Sequence, residues 1–71
     1  MVDVDLLRTK IANAGLNIPM LAGKMQINPA TLYRRMSHTE TFTIGEVTKI
    51  TSILNLSSDE STAIFFNCVV A

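Results

Sequence analysis

The sequence predicts an all-α domain of five short helices, and three observations carry that prediction. Apolar residues recur at three- and four-residue spacings from Leu7 to Phe65. Polar capping residues stand ahead of each such stretch, at Asp3 or Asp5, Asn17, Asn28, Thr43 and Ser57. No stretch alternates apolar and polar residues in the way a half-buried strand requires. With 71 residues there is room for one core, so residues 1–71 read as a single domain. A chain of this size hides only about 60% of the surface its unfolded form exposes, which makes its stability marginal.

Asp3 or Asp5 starts the first helix, which places Leu7, Ile11 and Ala14 on one face and stops at Gly15, a residue at ease in the left-handed conformation. Asn17 caps the second, and Pro19 falls in its first turn, where a missing N–H is harmless. That helix runs to about Met25 with Leu21, Ala22 and Met25 turned inward. Met20, Met25 and Met36 read as flexible core fillers. Asn28-Pro29 is the clearest local signal: a cap followed by the residue favoured at the first helical position. The third helix therefore begins at Pro29, buries Leu32 and Met36, and turns Tyr33 and Arg34 elsewhere. Ser37 to Thr41 is polar and reads as a loop. Thr43 and Glu46 form a capping box for the fourth helix, with Ile44, Val47, Ile50 or Thr51, and Leu54 as its core stripe. Asn55 ends it. Ser57 and Glu60 repeat the box, so a fifth helix covers about 58–67 and buries Ile64 and Phe65.

Composition excludes several classes of function. Apolar residues make up 48% and charged residues 17%, a balance suited to a folded globule. One Cys cannot close an intrachain disulfide, and Cys68 with His38 falls short of a metal-ligand set. No apolar run approaches the length of a membrane span, and Asp3 and Asp5 stand where a signal peptide carries positive charge. The expectation is a soluble cytoplasmic domain without a membrane association. There is no glycine-rich phosphate loop, no paired-histidine metal motif and no nucleophile with a candidate His partner. The chain reads as a non-enzyme with no cofactor and no metal.

The net charge of zero conceals an asymmetry. Residues 1–36 hold Arg8, Lys10, Lys24, Arg34 and Arg35 against Asp3 and Asp5, a balance of +3. Residues 37–71 hold Lys49 against Glu40, Glu46, Asp59 and Glu60, a balance of −3. A basic half points to an anionic partner; the competing explanation is a solvated surface with chance clustering.

Helices two and three are about eight residues each and joined only by Gln26 and Ile27. Such short helices must cross steeply, as in a helix-turn-helix, with small Ala22 at the crossing and Ile27 and Leu32 closing the space between them. The segment 17–37, NIPMLAGKMQINPATLYRRMS, resembles the helix-turn-helix of the Cro/C1-type, lambda repressor-like regulators of phages and bacteria. The resemblance continues through FTIGEVTKITSILNLSSDESTAIFF, which is similar to the last two helices of that five-helix fold. It implies a compact lambda repressor-like DNA-binding domain acting as a sequence-specific transcriptional regulator, a Cro-like repressor of a phage or prophage switch in a bacterial cell. Family members usually carry Gly in the turn, where this chain has Gln26, and Gln or Ser where it has Pro29 and Ala30.

Under that resemblance the third helix enters the major groove with its N-terminal end toward the bases. Arg34, one turn beyond Ala30 on the same face, is the candidate for a bidentate contact to guanine. Pro29 and Ala30 suit a thymine methyl, and Tyr33 a thymine methyl or a phosphate. Asn17, Thr31, Arg35, Ser37, His38 and Thr39 are candidate phosphate donors. The bland alternative makes Arg34 and Arg35 solvated helix charges, Tyr33 a packing residue and His38 a plain loop residue. One helix-turn-helix reads too few base pairs for a specific site, so a homodimer is expected on a double-stranded operator. The C-terminal apolar tail 66–71 offers the surface, through Phe66, Val69 and Val70. The rival function is a protein–protein module, such as an antirepressor that binds a partner repressor. Zero net charge and few base-reading side chains favour it.

Overall fold

The computed structural model describes residues 2–69, and their side chains as far as Phe65. Each helix begins where a polar side chain closes its first turn. Asp3 Oδ1 accepts the Leu6 N–H at 3.0 Å and opens α1 (Val4–Asn13). Asn17 Oδ1 accepts the Met20 N–H at 2.9 Å for α2 (Ile18–Met25), and Asn28 Oδ1 the Ala30 N–H at 2.8 Å for α3 (Pro29–Ser37). Reciprocal capping boxes, Thr43 with Glu46 and Ser57 with Glu60, open α4 (Ile44–Ile53) and α5 (Ser58–Val69). Between α3 and α4, part of the expected loop winds into a 3-10 turn, Thr39–Thr41. The described residues form five α-helices and no strand. None of these helices is long and apolar enough to cross a membrane.

Three of the four connections share one three-residue design. Gly15-Leu16-Asn17, Gln26-Ile27-Asn28 and Asn55-Leu56-Ser57 each run left-handed residue, apolar residue, cap. The first residues have φ of 76°, 62° and 54°. The apolar N–H then reaches back five residues, Leu16 to Ile11, Ile27 to Ala22 and Leu56 to Thr51, at 3.1, 3.0 and 2.9 Å. Those bonds satisfy carbonyls that a helix end would leave orphaned. Gln26 therefore takes the left-handed conformation that favours Gly, at a cost of about 1 kcal/mol.

Leu7, Ile11, Leu21, Ala22, Met25, Leu32, Met36, Val47, Ile50, Ile64 and Phe65 are buried as the spacing predicts. α2 packs on α3 and α4, and α5 packs on α4 and α1, so the core sits between these two sets. Val2, Ile18 and Phe42 join it without having been singled out by periodicity. Phe42 meets Phe65 edge to face at 5.8 Å between ring centres. Val2 and Phe42 directly precede the caps Asp3 and Thr43, with Leu7 and Val47 at the fourth helical position, the arrangement of a hydrophobic staple.

Three expected core residues are not in the core. Met20 is 48% exposed because it lies across α2 from Leu21, Ala22 and Met25. Ile44 is 69% exposed: it is the first residue of α4, at the edge of the stripe made by Val47 and Ile50. Ala14 is exposed because it follows the last turn of α1 as its C-cap.

Candidate nucleic-acid interface

α3 presents two unlike sides. Its inner side is Leu32 and Met36, both buried, and its start is set by Asn28, whose backbone carbonyl also accepts the Thr31 N–H at 2.9 Å. Pro29 fixes φ at the first helical position. With the inner side held, a rotation of about 100° per residue sends Ala30, Tyr33, Arg34 and Ser37 outward, and all four are exposed, as is Pro29. Tyr33 is 49% exposed. Among the described residues the Arg34 side chain has no ion pair and no hydrogen bond.

Thr31 and Arg35 lie on one flank of this surface and are half-buried. Arg35 is engaged: its Nε donates to both carboxylate oxygens of Glu46 on α4, at 3.0 and 3.1 Å. The Arg35 and Glu46 side chains retain 24% and 14% of their exposure. Sequence reading places Glu46 in a capping box and misses this second role, since residues eleven positions apart on different helices leave no periodic signal. His38 ends α3, with Nδ1 4.0 Å from Glu40 Oε2 across an exposed surface. Thr39 opens the 3-10 turn and is half-buried.

The structure thus brings Pro29, Ala30, Tyr33, Arg34 and Ser37 onto one exposed arc, with Thr31, Arg35, His38 and Thr39 along or just beyond its edge. Asn17 stands apart, at the start of α2, with its carbonyl oxygen occupied by Met20 and its amide nitrogen left as the donor. Val70 lies outside the described residues, as do the side chains of Phe66 and Val69.

Two further cations gather away from α3. Lys24 and Lys49 flank a shallow cleft of about 310 Å³ with Gln26, Ser52 and Ile53, and Lys49 Nζ donates to the Met25 carbonyl at 3.3 Å. The ammonium therefore sits on the carbonyl end of α2, where the helix dipole favours it. Among the described residues no group of three or more His, Cys, Asp or Glu side chains comes together. Remote from α3, a hydrogen bond from Lys10, aided by the Ser57 N–H, holds the Glu60 carboxyl down at about 2. No family model matches this chain, and no curated protein or solved structure does.

Proposed function

We propose that this chain is a sequence-specific double-stranded DNA-binding regulator of the Cro/C1 type, with α2 and α3 as its helix-turn-helix. It acts by binding, without catalysis, metal or cofactor. The observation that carries the reading is the outer arc of α3. A helix locked on one side by Leu32 and Met36 offers Ala30, Tyr33, Arg34 and Ser37 on the other, with the Arg34 guanidinium unengaged. An α-helix fits the major groove, and a guanidinium matches the two acceptors on the edge of guanine. Arg34 is the base-reading residue, with Pro29, Ala30 and Tyr33 making apolar contacts. Asn17, Thr31, Arg35, Ser37, His38 and Thr39 supply donors for phosphates. Two copies pair through Phe66, Val69 and Val70 so that both third helices meet one side of the duplex. Selection from a random duplex library, followed by gel shift at several salt concentrations, tests the reading. It predicts a paired-half-site consensus and an affinity that falls steeply with salt. Recovery of no consensus, with binding that is flat in salt, would count against it.

A second reading has its own support. Met20, Tyr33 and Ile44 are large apolar side chains left exposed on a chain of zero net charge. A surface of that kind suits a protein partner such as another repressor, and retention of a partner repressor without DNA binding would favour it.

A further inference from the structure

We propose that Glu46 is a positioning residue for DNA binding: it holds the Arg35 guanidinium by Nε so that the two terminal amino groups face a phosphate beside α3. The inference rests on the DNA-binding reading and adds to it a residue from α4 that touches no DNA. Three bonds define the arrangement. Glu46 Oε1 accepts the Thr43 N–H at 2.9 Å, and Oε1 and Oε2 share the Arg35 Nε–H at 3.0 and 3.1 Å. The Glu46 backbone N–H in turn donates to Thr43 Oγ1 at 3.1 Å. Glu46 is thus immobilised by the start of its own helix, and that fixed carboxylate immobilises Arg35.

The way the guanidinium is held matters. An arginine paired end-on through both amino groups has spent its fork on the carboxylate. Arg35 instead uses Nε, the nitrogen nearest its own backbone, so Nη1 and Nη2 lie beyond the bond. The side chain keeps 24% of its exposure, on the flank of α3 next to the arc of Ala30, Arg34 and Ser37. A planar fork fixed in advance meets a phosphate with two parallel hydrogen bonds and little further loss of rotamer freedom. A mobile lysine at that place would bring the same charge without the geometry. The neighbouring arginines therefore have different roles. Arg34, unengaged, adapts to a base edge, while Arg35, held, sets the register of the helix on the backbone.

The alternative is that Glu46 merely neutralises Arg35, and the two ideas predict opposite signs. Glu46→Gln keeps Oε1 for the Thr43 N–H but replaces Oε2, the second acceptor of the Arg35 Nε–H, with an NH2 that sets donor against donor. It also removes the ionic attraction, so the tie is loosened while the cap is kept. It also removes a negative charge near the phosphates, a change that by itself tightens binding. A loss of affinity in Glu46→Gln is therefore a result that positioning explains and neutralisation does not. The test uses the full chain and a random-sequence duplex of about 30 base pairs, because a phosphate contact is independent of sequence. Fluorescence anisotropy is read across a salt series, with far-UV dichroism showing each variant folded at the working temperature. Arg35→Ala should bind several-fold more weakly and flatten the log–log salt slope by about 0.9. Arg35→Lys should keep the salt slope of the unaltered chain, because the charge remains, but bind more weakly than it, because the fixed fork is lost. Glu46→Gln should weaken binding alone and have no such effect in the Arg35→Ala background. Equal or tighter binding by Glu46→Gln, or full affinity in Arg35→Lys, would overturn the positioning role while leaving the DNA-binding reading intact. No salt-dependent binding by the unaltered chain would remove the DNA-binding reading and this inference with it.

Discussion

Glu46 and Glu60 occupy the same position in two copies of one local motif, yet the molecule uses them differently. Each is the third residue of a helix, each returns a hydrogen bond to its own cap, and each also pairs with a cation from the basic half of the chain. Glu60 meets Lys10 and ties α5 to α1; Glu46 meets Arg35 and ties α4 to α3. The Lys10 partner is a hydrated point charge at a pair 27% and 39% exposed, so its contribution is open to screening by salt. The Arg35 pair is less exposed, and it uses a planar group that keeps two donors beyond the bond. The same cap-and-pair device thus serves as a clamp between terminal helices in one place and borders the candidate DNA surface in the other. Local sequence chooses the cap; the type of cation and the surface it stands beside decide what the pair does.

The largest effect should come from the core that supports both pairs. Leu32→Ala removes a fully buried side chain from the inner side of α3 and should destabilise the domain by about 2–5 kcal/mol in urea unfolding. Next is the contrast between the adjacent arginines. Arg34→Ala should cost about 1–3 kcal/mol in binding to a selected site, relax preference at one base pair, and leave the unfolding midpoint unchanged. Arg35→Ala should lower both stability and affinity, the latter for every sequence alike. Thr43→Ala and Ser57→Ala each remove one cap and should each cost about 1 kcal/mol of stability. If the two pairs differ as described, only Thr43→Ala should also weaken DNA binding.

The smallest effect is in acid. Glu60 is held at about 2, below the 4.5 of a free carboxyl, so its stabilisation is present above about 4.5 and is lost as the pH falls toward 2. Glu60→Gln should therefore be less stable than the unaltered chain at neutral pH, with the gap closing through that window in thermal unfolding. A gap that is independent of pH would mean that the Glu60 carboxyl is not held below its free value.

These contrasts mirror what is written locally and what is not. Asn17, Asn28 and Thr43 are legible as caps because a side chain bonding its own first turn needs no distant partner. Gln26 is legible as the turn residue because only Ile27 separates it from the next cap. Leu32 and Met36 follow from helical spacing, and so does the outward turn of Arg34. Met20 and Ile44 are misplaced when residue type is given more weight than angle around the helix. Phe42 and Val2 escape a search for stripes because each precedes a cap, where no periodic stripe extends, although an apolar residue just before a cap is itself a signal. The Arg35–Glu46 bond is absent from any reading of spacing, because it depends on how α4 returns against α3. Charge counting places Arg35 among free cations; packing gives it a partner.

Everything proposed for binding turns on the outer arc of α3 being the DNA-contacting surface. Titration of the 15N-labelled chain with a selected duplex, followed by amide and arginine Nε–H resonances, tests this most directly. The largest shifts should fall at Ala30, Tyr33, Arg34 and Ser37, with smaller ones at Thr31, Arg35 and His38 and little change at Lys10 and Glu60. Shifts centred on Met20 and Ile44, or a spectrum unchanged at saturating duplex, would contradict it.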